Sequence, residues 1–284
     1  MEKISEKSFT VPSEAIRRYK EDGATVLRGV LGNPWIDRMR EAVQEVLDNP
    51  GGAAMEYTKE GNTGRYYGDF FIWRRNQTFR DFMANSCLPE IAAQFMGAHE
   101  VAFFYDQLLV KEPNTKEETP WHQDLPYWPV RGEQVISIWT PFDAATVESG
   151  VVQYIKGSHK WGKMFAPKAF GDTSFADTYK KAGFEPLPDI DANIEDYEVL
   201  HWEMEPGDVL VHHPLTLHYA RGNASKTGRR RGLALRYVGE EAQYDTRPGT
   251  FMENPRLKKL LPEITLKDGD RLLSELFPKV WPSA

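Results

Sequence analysis

The chain has 284 residues, 40% of them hydrophobic and 27% charged, which suits one globular domain and does not require two. A net charge of -7 excludes a general nucleic-acid binder, whose partner's phosphates demand a basic surface, and the single cysteine, Cys87, excludes an internal disulfide framework or a thiolate-rich metal cluster. No apolar run approaches the ~20 residues that cross a bilayer, and Met1–Lys7 lacks the apolar core of a signal peptide, so the cytoplasm is the expected compartment.

In chain order, Pro12-Ser13-Glu14 reads as a cap before an amphipathic helix to about Lys20, and Ala24–Leu27 is strand-like. Asn33-Pro34 opens a second helix to about Leu47, with Ile36, Met39, Val43 and Val46 at helical spacing, and Asn49-Pro50-Gly51-Gly52 breaks it. Thr58–Gln77 is irregular and rich in rings: Tyr66, Tyr67, Phe70, Phe71 and Trp73. A third helix is expected over Leu88–Phe95. Strands then dominate, at Val101–Val110, Trp121–Leu125, Val135–Pro141, Gly150–Tyr154, Asp208–His213 and Gly232–Tyr237. The charged, aperiodic Lys160–His201 reads as an insertion or lid. Short helices are expected at Pro255–Leu261 and Asp268–Leu276.

Helices followed by many short strands point to a mostly β fold, a jelly roll (double-stranded β-helix) packed against N-terminal helices. The expected organisation is a single domain over 1–284: a helical part over 1–100, a jelly-roll core over 101–240 carrying the lid-like insertion 160–201, and a C-terminal extension over 241–284. A parallel α/β sheet would need strand–helix alternation, and no glycine-rich phosphate loop is present.

The chemistry-bearing feature is His122-Gln123-Asp124. If the strand Trp121–Leu125 runs through it, His122 and Asp124 share a face while Gln123 points away. Two imidazoles and one carboxylate on one face of iron leave three sites for a co-substrate and oxygen. A lone H-x-D is weak evidence, because such tripeptides arise by chance. Two stretches compete for the second histidine: His218, past the break at Pro214, and His212-His213. Alternation puts Val209, Val211 and His213 on one face, so His213 is expected to point inward as a hydrogen-bonded core residue. His159 and His201 read as turn and strand-start residues, and Asp143 and Glu148 as solvated loop carboxylates.

Taken together, Trp121-His122-Gln123-Asp124, Trp139, Glu148-Ser149-Gly150, Gly157-Ser158-His159, the Pro206-Gly207-Asp208 turn, His218, Asn223, Ser225 and Arg230-Arg231-Gly232-Leu233 resemble the phytanoyl-CoA dioxygenase family of iron(II)- and 2-oxoglutarate-dependent oxygenases. The opening Tyr19–Leu31 adds to the likeness, which runs from about residue 12 to 240. The resemblance implies that His122, Asp124 and His218 bind iron, and that one arginine of Arg229–Arg231 binds the distal carboxylate of 2-oxoglutarate. Counting back from Gly232–Tyr237 selects Arg230; counting forward from His218 selects Arg229. Trp139 is similar to an aromatic beside the co-substrate, while Ala220 stands where the family often has a serine.

The expected activity is therefore a dioxygenase that uses Fe(II), 2-oxoglutarate and O2 to hydroxylate an unactivated C–H bond of a small organic substrate, releasing succinate and CO2. Asp124 disfavours halogenation, because related halogenases have a small residue there. Gln107 is a further candidate for the co-substrate, and Tyr127, Trp128, Tyr67 and Phe71 for the substrate. Alternatives are a cupin-like metal enzyme not using 2-oxoglutarate, which the arginine anchor speaks against, and a non-catalytic binding protein on the same fold. Neither nucleic acid nor membrane is an expected partner.

Overall fold

The computed structural model describes residue 4, residues 8–166 and residues 183–282. Its first half runs α1 (Ser13–Asp22), β1 (Ala24–Leu27), α2 (Asn33–Asp48), β2 (Met55–Glu56), β3 (Tyr66–Phe70), α3 (Gln77–Asn85), α4 (Leu88–Met96), β4 (Val101–Lys111) and β5 (Thr119–His122). Then follow β6 (Val130–Arg131), β7 (Val135–Pro141), β8 (Val152–Ile155), β9 (Val199–His201), β10 (Val209–His212), β11 (His218–Ala220) and β12 (Arg230–Gly239). The tail holds β13 (Gln243–Tyr244), a short helix α5 (Pro255–Leu260) and β14 (Lys279–Trp281).

The strands form two main antiparallel sheets, in the jelly-roll arrangement. The large one has the order β1-β10-β7-β12-β4-β3-β2, with β14 also on β4; the small one has the order β5-β11-β8-β9. Alternation along each strand divides the large sheet's two faces. Leu108 and Val110 of β4, Val209 and Val211 of β10, and Leu233, Leu235 and Tyr237 of β12 share one core with the helices, including Trp35, Met39 and Phe82. The opposite face, with Trp139, Leu210 and Ala234, packs against Val152 and Tyr154 of the small sheet. That second, thinner layer is where the site lies.

The helices form for local reasons. α2 starts with Pro34 in its first turn and buries Trp35, Ile36, Met39, Val43 and Val46 along one face. α1 ends at Gly23, whose left-handed φ of 86° lets its N–H bond Tyr19 O. A β-carbon at Gly23 would also lie 2.4 Å from Thr216 Oγ1, so the turn feeding β1 tolerates nothing larger.

Several expectations change. The first hundred residues are not simply helical, because β1 closes one edge of the large sheet and β3 pairs with β4. α3 falls where no helix was expected, although Asn76 accepts from Thr78 N and Phe79 N, and Phe79, Phe82 and Met83 are buried at helical spacing. Asp268–Leu276 is not a helix. Its amides and carbonyls pair with the β13 region instead, Tyr244 N donating to Asp270 O and Gly269 N to Tyr244 O. Of the lid-like insertion 160–201, residues 167–182 lie outside the described residues. The flanking Phe165 and Ile190 are buried against Trp121, Ile155, Leu217 and Tyr219, on the far side of the small sheet.

Candidate active site

His122 is the last residue of β5 and lies directly opposite His218 of β11, their ring centroids 4.1 Å apart. Asp124 is not on the strand. The chain leaves β5 after His122, Asp124 takes helical dihedrals (φ -78°, ψ -44°), and the Asp124 and Leu125 amides both donate to Pro214 O. The strand expected over Trp121–Leu125 therefore covers 119–122, and Asp124 reaches the histidines through a turn rather than strand alternation. Gln123 points away: its amide donates to the Leu215 and Lys163 carbonyls and accepts from Phe165 N.

The geometry suits a divalent metal. His122 Nδ1 lies 2.8 Å from Pro120 O, and His218 Nδ1 lies 2.9 Å from Thr216 O. Both bonds require Nδ1 to carry the proton, which leaves each Nε2 lone pair facing inward. Those two Nε2 atoms sit 3.8 and 3.9 Å from Asp124 Oδ1. One ligand atom from each of the three residues lies within 4.8 Å of the others. Burial pushes the imidazoles down, His122 to about 3 and His218 to about 4, so both are neutral donors. Burial alone would raise Asp124, but the Arg236 guanidinium and a hydrogen bond from His212 hold it well below the carboxylate range.

His212, rather than His213, faces the site. Its Nε2 lies 3.3 Å from Asp124 Oδ2, and its Nδ1 lies 3.0 Å from the Tyr154 hydroxyl. Arg236 approaches the same Oδ2 at 3.6 Å and donates to Gln107 Oε1 at 2.8 Å. Oδ2 is thus occupied and Oδ1 is left toward the histidines. His213 is the hydrogen-bonded residue that was expected, its Nδ1 accepting from Leu215 N, but because β10 is buried on both faces the alternation did not show that the opposite face carries His212 to the site. Val209 and Val211 go to the helices with His213, which lies beside Tyr19 and His159.

Two cavities meet at His122. A narrow one of about 70 Å³ is lined by His122, His218, Trp139, Gln107, Ala220 and Arg230, among others. Arg230 is 1% exposed, forms no ion pair among the described residues, and leaves its Nε without a hydrogen-bond partner. Its guanidinium carbon lies 5.7 Å from the Trp139 ring centroid. By contrast, Arg231 is held by Asp143 through bonds of 2.6 and 2.8 Å, and Arg229 by Glu112 at 2.9 Å. Gly232 makes room for the indole: a β-carbon there would sit 2.4 Å from Trp139 Cζ2. The position of Ala220 offers no hydroxyl, but Tyr66 and Thr119, bonded to each other at 2.7 Å, line the same cavity.

The second cavity, of about 340 Å³, is lined by Phe71, Tyr105, Gln107, His122, Asp124, Tyr127 and Trp128, among others. Tyr67 does not reach it. On β3, Tyr66 faces between the sheets, so Tyr67 turns to the helices, where its hydroxyl bonds Asp69. Tyr57, Phe251 and Arg256 line the cavity and carried no sequence signal, and His212 was weighed only as a rival for the distal histidine.

A profile of the phytanoyl-CoA dioxygenase family matches residues 19–232, three quarters of the chain. The peroxisomal phytanoyl-CoA dioxygenase of Bos taurus is 25% identical over 271 residues, covering 88% of this chain and 77% of that protein. The dioxygenase aneA of Aspergillus aculeatus is 26% identical, covering 84% and 74%. Among solved structures, the non-heme α-ketoglutarate-dependent carbocyclase SnoK from nogalamycin biosynthesis superposes with a TM-score of 0.74 at 25% identity, covering 95% of this chain and 96% of that one. No helix among the described residues is long and apolar enough to cross a membrane. With the family profile spanning both jelly-roll sheets and the buried histidines and carboxylate between them, the chain belongs to the phytanoyl-CoA dioxygenase family and is an iron(II)- and 2-oxoglutarate-dependent oxygenase.

Proposed function

We propose that the protein hydroxylates an unactivated C–H bond of a small organic substrate, with His122, Asp124 and His218 holding iron and Arg230 anchoring 2-oxoglutarate. One observation carries the reading. A buried guanidinium without an anionic partner among the described residues lies on one side of the His122–Asp124–His218 cluster, and a cavity walled by rings lies on the other. An uncompensated buried cation is costly, and a carboxylate from a ligand offsets that cost.

When bound, the iron supplies, with O2 and 2-oxoglutarate, the oxidising power for C–H hydroxylation, and succinate and CO2 are released. The chain's own residues set the geometry. His212 and Arg236 keep Asp124 ionised and one-ended, while the Pro120 and Thr216 carbonyls fix the imidazole tautomers. Arg230 receives the distal carboxylate, Trp139 flanks it, and Tyr66 or Thr119 supplies the hydroxyl that Ala220 lacks. Gln107 lines both cavities, held by Arg236, and orients the co-substrate end that faces the substrate. Phe71, Tyr127 and Trp128 exclude water from the reacting C–H bond.

The test is a screen of small organic acids, amines and ring compounds for stimulated succinate release by the iron-loaded protein, with the product checked for one added oxygen. Succinate release without an oxygenated product from any stimulating compound would overturn the hydroxylase reading.

A further inference from the structure

The substrate cavity has an unusual wall. Phe71 carries a β-carbon yet sits in the left-handed region, at φ 54° and ψ 33°, which such residues rarely adopt. Asp106 of β4 enforces that turn: its Oδ1 accepts from Ile72 N at 2.7 Å and its Oδ2 from Trp73 N at 2.8 Å. The result is a ring aimed at the cavity, stacked on Tyr105 at 5.5 Å and meeting Phe251 edge-on at 5.9 Å. Tyr105 is pinned in turn by the Trp128 indole N–H, which donates to its hydroxyl at 2.6 Å.

Strained backbone persists where the surroundings over-determine it, and here it serves to place an aromatic face. A wall of rings locked by hydrogen bonds and mutual packing has little freedom to fit a flexible chain, but it offers fixed faces for stacking. The cavity's volume of about 340 Å³ lies at the low end for ligand sites. Among the described lining residues, Asp124 is the sole carboxylate. Arg256 lines the cavity as well. It donates to the Gly52 and Ala54 carbonyls at 2.6 and 2.7 Å, but forms no ion pair among the described residues.

We propose that the substrate is a compact, flat ring compound bearing one anionic group, its rings against the Phe71–Tyr105–Trp128 wall and its anion at Arg256. This rests on the reading above that the larger cavity receives the primary substrate. The experiment is calorimetric titration of the protein, loaded with Fe(II) and 2-oxoglutarate without oxygen, using three probes: 2-naphthoate, the neutral 2-naphthol, and undecanoate, a linear acid of equal carbon count to naphthoate.

Naphthoate should bind about tenfold or more tightly than undecanoate. Phe71→Gly, in which relief of the left-handed strain offsets part of the lost ring packing, should abolish that preference, with a thermal melt showing that the variant is folded. Arg256→Gln should weaken naphthoate about tenfold and leave naphthol unchanged, with Arg256→Lys restoring most of the loss. Undecanoate binding as tightly as naphthoate, no naphthoate binding, or a preference unchanged in Phe71→Gly would each overturn the ring assignment. An equal effect of Arg256→Gln on naphthol and naphthoate would overturn the anion assignment. Admitting oxygen to the same preparation and following consumption of 2-oxoglutarate separates the two levels. Its absence counts against the proposed function, whereas its presence with no ring preference counts against this inference alone.

Discussion

Replacing each of the three consecutive arginines by leucine separates a ligand anchor from two structural ion pairs. Arg230 is buried with no carboxylate partner among the described residues, so Arg230→Leu removes an uncompensated cation and should not lower the thermal midpoint. It should weaken 2-oxoglutarate, because a charge-assisted bidentate contact contributes about 1.5–3 kcal/mol, or roughly tenfold to over a hundredfold in affinity. Arg231→Leu should do the opposite. It strands Asp143, whose side chain is 18% exposed, and should cost about 2–4 kcal/mol of stability with little change in co-substrate binding. The Arg229–Glu112 pair is more exposed, so Arg229→Leu should cost at most about 1 kcal/mol and leave 2-oxoglutarate unaffected. Calorimetric titration of 2-oxoglutarate into the iron-loaded variants, with thermal melts alongside, reads both quantities. A large loss of co-substrate affinity confined to Arg229→Leu or Arg231→Leu, or a collapse in stability for Arg230→Leu, would refute the reasoning.

His122→Ala and Asp124→Ala should each lose iron on dialysis while folding, whereas His213→Ala should retain it; a His213→Ala protein without metal would contradict the placement beside Tyr19. His212→Phe should weaken iron roughly tenfold to a hundredfold by freeing Asp124 Oδ2, measured by competition with a chelator. Gly232→Ala should cost about 1–3 kcal/mol through its clash with Trp139 and should weaken 2-oxoglutarate, since the indole must shift. Burial pushes Asp106 up to about 7, although the Ile72 and Trp73 amides pull the other way. A raised carboxyl favours folding while protonated, so its contribution is present below about pH 4 and is lost as pH rises toward 7, at up to about 1.4 kcal/mol per pH unit. Asp106→Asn should flatten the melting-temperature profile across that window, and an unchanged slope would remove Asp106 as its source.

Much of this was legible in the residues, because the informative segments obey simple periods. Val135–Pro141 forms the expected strand, and Asn33-Pro34 opens the expected helix. His122, Asp124 and His218 come together as the H-x-D and the distal histidine suggested. What stayed hidden depends on which side of a doubly buried strand faces inward. Val209–His212 is buried on both faces, so the part His212 plays beside Asp124 was not visible; likewise Tyr67 was chosen where Tyr66 faces the cavity. The turn that carries Asp124 is set by Pro214 O, far along the chain, and no local pattern announces it. No local pattern names the carboxylate beside Arg236, because Asp124 reaches it through tertiary structure. Asn76 before Phe79, Phe82 and Met83 was a readable helix start, masked by the density of rings preceding it.

We propose that His122, Asp124 and His218 form an iron site that drives oxidation of 2-oxoglutarate beside Arg230. It is tested most directly by titrating Fe(II) into metal-stripped protein with 2-oxoglutarate and oxygen while measuring succinate. Succinate release should rise with iron and saturate at about one equivalent per chain, the stoichiometry of a single two-histidine, one-carboxylate site. Release that is independent of added iron, or that persists undiminished in Asp124→Ala, would contradict it.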